Sequence, residues 1–322
     1  MSQIEHIDAA QFEPVGTDIH ASEELARPSL SYLQDAWRRL KKNKVALFSL
    51  FYIVFIVLGS IIFPMISGYT MSEQHQDHGL MPIGYVHTVT DANGVTTSHT
   101  HLWGTDMYGR DVFTRVWFGA RISMTIGIAA ALINLLIGAL YGGISGYFGG
   151  RLDNLMMRFL EIIMGVPYMI IVILLLVVMA PGIGTIIIAY AATGWTGMAR
   201  LVRGQVLQLK EQEYILSARV LGGSSWRIIF RHLLPNCLSV ILVQLTLSIP
   251  GAIFTEAFLS YIGLGVRIPL ASWGTLCNEG ANYFRIAPHL LFLPALFICL
   301  TMLSFNLLGD ALRDVLDPRL RK

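Results

Sequence analysis

Six stretches of the chain, residues 45–66, 122–145, 162–180, 183–199, 237–259 and 289–308, are apolar over lengths that cross about 30 Å of bilayer hydrocarbon at a helical rise of about 1.5 Å per residue. The fourth is the shortest. Such runs dominate a sequence that is 54% hydrophobic and 14% charged, with mean hydropathy +0.59. The bilayer is therefore treated as the solvent, and an all-α membrane protein with six transmembrane helices is expected.

Lys and Arg near span ends are retained on the cytoplasmic side, so their placement sets orientation. With the N-terminus inside, 18 of the 23 basic residues fall inside and five outside, the latter being Arg110, Arg115, Arg121, Arg267 and Arg285. An N-in, C-in chain follows. It divides into a cytoplasmic tail 1–44, a first span 45–66, an outer loop 67–120, a core 121–309 with five spans and an inner loop 200–236, and a cytoplasmic tail 310–322. The first 40 residues are polar and carry acids, unlike a cleaved secretory signal, so the first span is expected to act as an anchor behind "RRLKKNK" at 38–44. Cys237, Cys277 and Cys299 have no metal-site spacing and are read as packing residues.

Ionisable groups are nearly absent from the spans, which argues against an ion-coupled carrier. No internal repeat of the kind that builds secondary transporters is visible. Glu256, toward the outer end of the fifth span, is either an interfacial acid paired with a neighbour or part of a solute path or gate. Asn134 and Gln244 are weaker pathway candidates that serve equally as interhelical hydrogen bonds. Gly138, Gly142 and Gly146 repeat every four residues and predict a flat face for close helix packing. "GISG" at 143–146 matches the serine motif of rhomboid-type intramembrane proteases, but that chemistry needs a histidine inside another span. His232 and His289 lie at the inner surface and the outer edge instead. His75, His78, His87, His99 and His101 crowd the first outer loop, either as a metal-binding loop or as a solvated one.

The most informative segment is the inner "EYILSARVLGGSSWRIIFRHLLPN" at 213–236. From Ser224, which can cap a helix, Trp226, Ile229, Phe230, Leu233 and Leu234 recur at helical spacing and predict one apolar face, with Arg227 and Arg231 opposite. Pro235 is expected to end that helix. Gly222 and Gly223 separate it from a first helix carrying Tyr214, Ala218 and Leu221 on one face. Two helices this short need a surface to dock on. By periodicity the pair is a hairpin closing two spans, a basic segment on anionic lipid, or a docking site for a cytoplasmic partner.

This segment resembles the cytoplasmic loop of ABC importer permeases, whose pattern of E-A-A, three residues, Gly, nine residues, Ile, any residue and Leu-Pro falls on Leu216-Ser217-Ala218, Gly222, His232 and Leu234-Pro235. Leu216, Ser217 and His232 depart from the strict form. "GTDMYGRDVFTRVWFGARIS" (104–123), "SYIGLGVRIPLASWGTL" (260–276) and "FNLLGDALRDVLDPRL" (305–320) are likewise similar to the peptide-transport branch of that family, closest to its C-type oligopeptide permease. The resemblance implies a type I importer permease in a prokaryotic plasma membrane. It also implies a heterodimeric B-type partner permease, two cytoplasmic ATPase subunits, an extracytoplasmic binding protein and a peptide solute, with no nucleic acid involved. Glu213, Ser217, Ala218, Arg219, Gly222, Gly223, Arg231, His232 and Pro235 would form the ATPase-coupling loop. Gly222 would set the angle between its helices, Ala218 would permit close approach, and Pro235 would mark where motion passes to the fifth span. Residues 104–119 would be a lip for the binding protein or an interfacial helix. No catalytic residue and no cofactor is expected on this chain, which lacks a phosphate-binding G-x-x-x-x-G-K-[ST] loop, so ATP and Mg belong to partners. Relatives similar to nickel or haem carriers keep those solutes as the alternative.

Overall fold

The computed structural model describes residues 32–90, 96–179, 182–267 and 269–316. Most of the expected N-terminal tail and residues 317–322 of the C-terminal one lie outside these residues. Within the expected N-terminal tail, α1 (Tyr32–Lys42) is a helix whose Leu40 is buried with Ala46, Leu308 and Ala311. Asn43 then caps the next helix, its side chain accepting from the Val45 and Ala46 amides at 3.1 and 3.2 Å.

Among the described residues four helices are long and apolar enough to cross a membrane: α2 (Lys44–Ile66), α3 (Val112–Phe148), α11 (Leu238–Tyr261) and α13 (His289–Leu316). The six expected spans are corrected at the third and fourth. The stretch 162–180 is broken between α4 (Gly150–Gly165) and α5 (Tyr168–Val178), which qualify as a fifth span only together and across a 76° bend. Pro167 is the cause: it forces Val166 into extended backbone, at φ −92° and ψ 126°. The stretch 183–199 becomes α6 (Ile183–Thr193) and α7 (Trp195–Leu209), with α7 running well beyond the expected end. The second span is also longer than expected. Its helix α3 has 37 residues, or about 55 Å, and takes in the end of the expected outer loop.

The outer loop adds strands to an otherwise helical chain. β1 (Tyr85–Thr90) and β2 (Thr96–His101) form an antiparallel hairpin with His87 opposite His99, beside a short 3-10 turn at Gln76–His78. The remaining pieces are α8 (Glu213–Val220), α9 (Ser225–Ile228), a π turn at Ile229–Leu233, α10 (Leu234–Asn236) and α12 (Trp273–Asn282).

Helix α3 is the centre of the packing. Its glycine face meets α7 as the four-residue repeat predicts. A Cβ on Gly138 would lie 2.6 Å from Met198 Cβ, one on Gly142 2.3 Å from the Ala199 carbonyl oxygen, and one on Gly146 2.9 Å from the Arg203 carbonyl oxygen. The contacts ascend together in both helices, so α3 and α7 run parallel. Toward the other end of α3, Trp117, Ile253, Trp273 and Phe305 share a core, and Trp273 Nε1 donates to the Val116 carbonyl at 3.0 Å. Large apolar side chains left on the outside, such as Phe48 and Phe51 of α2, fit a lipid-facing surface. Replacing Gly142 with valine should overpack the α3–α7 seam by about 1–3 kcal/mol or more. The expected outcome is a lower inactivation temperature in detergent, with Gly184→Val, where a Cβ meets nothing within 4 Å, as the control.

Candidate functional site

The inner loop leaves α7 at Leu209 and returns as α11 at Leu238. Its root is apolar: Ile215, Ile228, Ile229, Leu233 and Cys237 are buried with Met198, Val202 and Val206 of α7 and Ile241 of α11. The turn between the two helical pieces closes on glycine. Gly222 sits at φ +79°, a left-handed backbone that side chains disfavour, with open space around it. Its amide donates to the Arg219 carbonyl, and the Gly223 amide to the Ala218 carbonyl, both at 3.0 Å. Ser224 caps the second piece as expected, accepting from the Arg227 amide at 3.4 Å.

Two details differ from the periodic reading. Pro235 does not end the helix. A π turn just before it, closed from the Leu234 amide to the Ile229 carbonyl, widens the backbone where the proline lacks an N–H, and the helical path continues into α11. The buried face also differs from the expected one: Ile228 joins Ile229 and Leu233 inside, while Trp226 and Phe230 stack on the outside, ring centroids 5.8 Å apart. Leu221 likewise falls outside α8 and is 87% exposed, as is Val220. The loop therefore presents Val220, Leu221, Trp226 and Phe230 beside Glu213, Ser217, Arg219, Gly222, Arg231 and Pro235, all exposed. Ala218, Gly223 and His232 are half-buried, and the Arg219 guanidinium lies over the Tyr147 ring.

A buried ion pair secures the loop's origin. Arg203 of α7 donates from Nε and Nη2 to the two carboxylate oxygens of Asp153 at 2.7 and 2.6 Å, and Ser145 Oγ donates to the same carboxylate. This ties α3, α4 and α7 together at one end. It also commits the Ser145 hydroxyl of the "GISG" stretch to a structural bond. Sequence reading missed this pair because Arg203 counts there only as one of the inner basic residues.

At the opposite end, residues 104–115 fold into a clasp on α12. Arg110 donates to Asp106 at 2.6 Å and to Glu279 at 3.0 Å, and Arg115 donates to Asp106 and, at 2.6 and 3.0 Å, to both oxygens of Glu279. Asp111 caps α3 at the Thr114 amide, and its other oxygen meets His101 Nδ1 at 2.9 Å. The His101 ring stacks between Tyr69 and His87, and His78 lies 4.4 Å beyond His87 by ring centroid. Among the described residues these histidines form no group of three or more ligands arranged around a metal ion; the His99 side chain lies outside them.

The family profile described as "Binding-protein-dependent transport system inner membrane component" matches residues 134–322, which take in the loop, its ion-pair support and the last spans. The chain belongs to this family. A second profile, "N-terminal TM domain of oligopeptide transport permease C", matches residues 31–82. Its relatives include the dipeptide transport system permease protein DppC of Bacillus subtilis strain 168, 50% identical over 94% of this chain and 90% of that one. The oligopeptide transport system permease protein OppC of the same organism is 48% identical over 99% of this chain and its own full length. The OppC protein of Haemophilus influenzae is 42% identical over 92% of both chains.

The three pathway candidates lie apart. Glu256 is fully buried inside the chain, accepting from Ser123 Oγ of α3 at 2.8 Å and Ser260 Oγ at 2.7 Å, while Ser123 in turn accepts from the Trp273 amide. It binds α3, α11 and α12 together and faces no outer surface of the chain. Asn134 is buried on α3 against Gly194, at the break between α6 and α7. Gln244 alone reaches an open groove. Of the three cysteines, Cys237 and Cys277 are buried, as packing residues should be, whereas Cys299 is exposed on α13.

Arg203→Ala would leave Asp153, 5% exposed, without its cation. A loss of about 3 kcal/mol is expected, at the low end for a buried pair because Arg203 is itself partly exposed. Reduced thermal stability that a second change, Asp153→Asn, restores in part is the outcome that checks it. On α12, burial pushes the Cys277 thiol up to about 12. At pH 8 its alkylation by maleimide should run about three orders of magnitude slower than a free thiol's, rising tenfold per pH unit below that value.

Proposed function

We propose that this chain is the C-type permease subunit of an ATP-driven peptide importer in a prokaryotic plasma membrane. Two ATPase subunits lie on the inner side, a B-type permease beside it, and a binding protein delivers peptide from outside. The carrying observation is the inner loop: a buried apolar root, a glycine-closed turn, and a projecting cap of Val220, Leu221, Trp226 and Phe230 ringed by Glu213, Arg219 and Arg231. Relatives named as dipeptide and oligopeptide permeases along nearly the whole chain support peptide as the solute.

A rigid loop root and an exposed cap are what coupling requires. ATP binds the closed form of the ATPase pair more tightly, so closure shifts the equilibrium between two permease conformations. The cap moves with the ATPase, and the root passes that motion as a rigid body to α7 and α11. Arg203 and Asp153 keep α3 and α4 in the same moving unit. The chain supplies no catalytic group to hydrolysis in this reading. ATP and Mg are held by the ATPase subunits, and with a second permease across the pathway two such loops engage the two ATPases.

The experiment is ATP hydrolysis and peptide uptake in liposomes holding this chain, its partner permease and the ATPases, with loaded binding protein outside. Peptide-stimulated hydrolysis is expected; a response to nickel or haem in place of peptide would overturn the solute. Gly222→Leu forces a side chain into the left-handed turn, and hydrolysis should continue while uptake per ATP falls about tenfold or more. Leu221→Asp places a charge on the cap and should weaken ATPase retention on the purified complex, with the membrane subunits still assembled. Unaltered coupling in both variants would remove the loop from this role.

A further inference from the structure

Helices α7 and α11 diverge beyond the loop root and leave a groove of about 530 Å³ between them, within the size range of small-ligand sites. Its α7 wall carries Gln205 and Gln208, its α11 wall Ser239 and Gln244, and Arg313 of α13 closes one end. Gln205 and Gln208 lie three apart on α7 and share one helix face, and on α11 Val240, Val243, Gln244 and Leu247 do the same. Of these, Gln244 lies well within a span, where a polar side chain is costly against lipid and is retained where a water-filled path or a ligand meets it.

From this arrangement we infer that the groove is a peptide-binding subsite in the permease itself, which takes the backbone of a short peptide and its free C-terminal carboxylate. The inference rests on the peptide-importer reading above and adds the place where the solute is held. A carboxamide both donates and accepts, as each peptide unit does, so Gln205, Gln208 and Gln244 bond a backbone whatever its side chains. That suits a path serving many sequences. Arg313 supplies the charge for the carboxylate. Among the described residues no acid lies within ion-pair distance of it, and its helix neighbours Asp310 and Asp314 do not line the groove. On the orientation proposed above, the groove opens on the cytoplasmic side beside the coupling loop, so closure of the loops changes its width.

The test uses the complete transporter in liposomes, with tri-alanine and tri-alanine amide each delivered by the binding protein. The readout is the KM of uptake for the acid relative to the amide, compared with wild type. Arg313→Gln should raise KM for the acid about tenfold and leave the amide unchanged, with Arg313→Lys restoring most of the difference. Gln205→Leu with Gln244→Leu should raise both KM values alike. Gln244→Glu keeps the side-chain shape and should disfavour the acid alone, so the inference stays testable where the leucine pair fails to assemble. Unchanged KM values in the variants, or an Arg313→Gln effect equal for acid and amide, would overturn the subsite. A wild-type transporter that imports neither peptide would instead overturn the peptide-importer reading.

Discussion

The seam between α3 and α7 is the constraint on which the inner half of the molecule depends. Apolar burial does little to associate helices inside a bilayer, because lipid tails are as apolar as leucine, so close van der Waals approach must do it. Gly138, Gly142 and Gly146 allow that approach, and a single added carbon would meet main-chain atoms of α7. Because α7 is held so near α3, the loop that follows it has a fixed floor, and Ile215, Ile228 and Ile229 find partners to bury against. The same proximity brings Arg203 to Asp153 across 50 residues of sequence.

The two ends of α3 are fastened by charge in different ways. At its C-terminal end one bidentate pair, reinforced by a serine hydroxyl, joins three helices. At its N-terminal end two arginines share two acids, and Glu279 reaches Arg110 from 169 residues along the chain. Each buried charge has an opposite charge beside it and hydrogen bonds of good length, the condition under which such groups are tolerated away from water. Glu256 differs: its partners are neutral, and it accepts from the Ser123 and Ser260 hydroxyls. A helix of about 55 Å is thus fastened to its neighbours at both ends.

Much of the loop was legible in the sequence because its determinants are local. A glycine pair, a capping serine and short apolar periods predict two helices and a turn, and the turn closes at Gly222, which takes a positive φ. The errors also have local causes. The π turn before Pro235 accommodates a residue without an N–H, so the helical path continues where a proline is expected to end it. Pro167 bends the third span for a reason visible in the sequence, yet a hydropathy window averages across it.

What the sequence determined by itself is the class of the molecule: apolar runs of membrane length, basic residues gathered at one set of their ends, a four-residue glycine face and a loop of recognisable spacing. These are properties of neighbouring residues and of helical period. Only the tertiary structure decided that Glu279 belongs with Arg110 and Arg115, that Asp153 belongs with Arg203, and that Gln244 opens onto a groove while Glu256 is enclosed. Each of those outcomes depends on which helices stand side by side. Periodicity orients a side chain around its own helix and carries no information about the helix it will face.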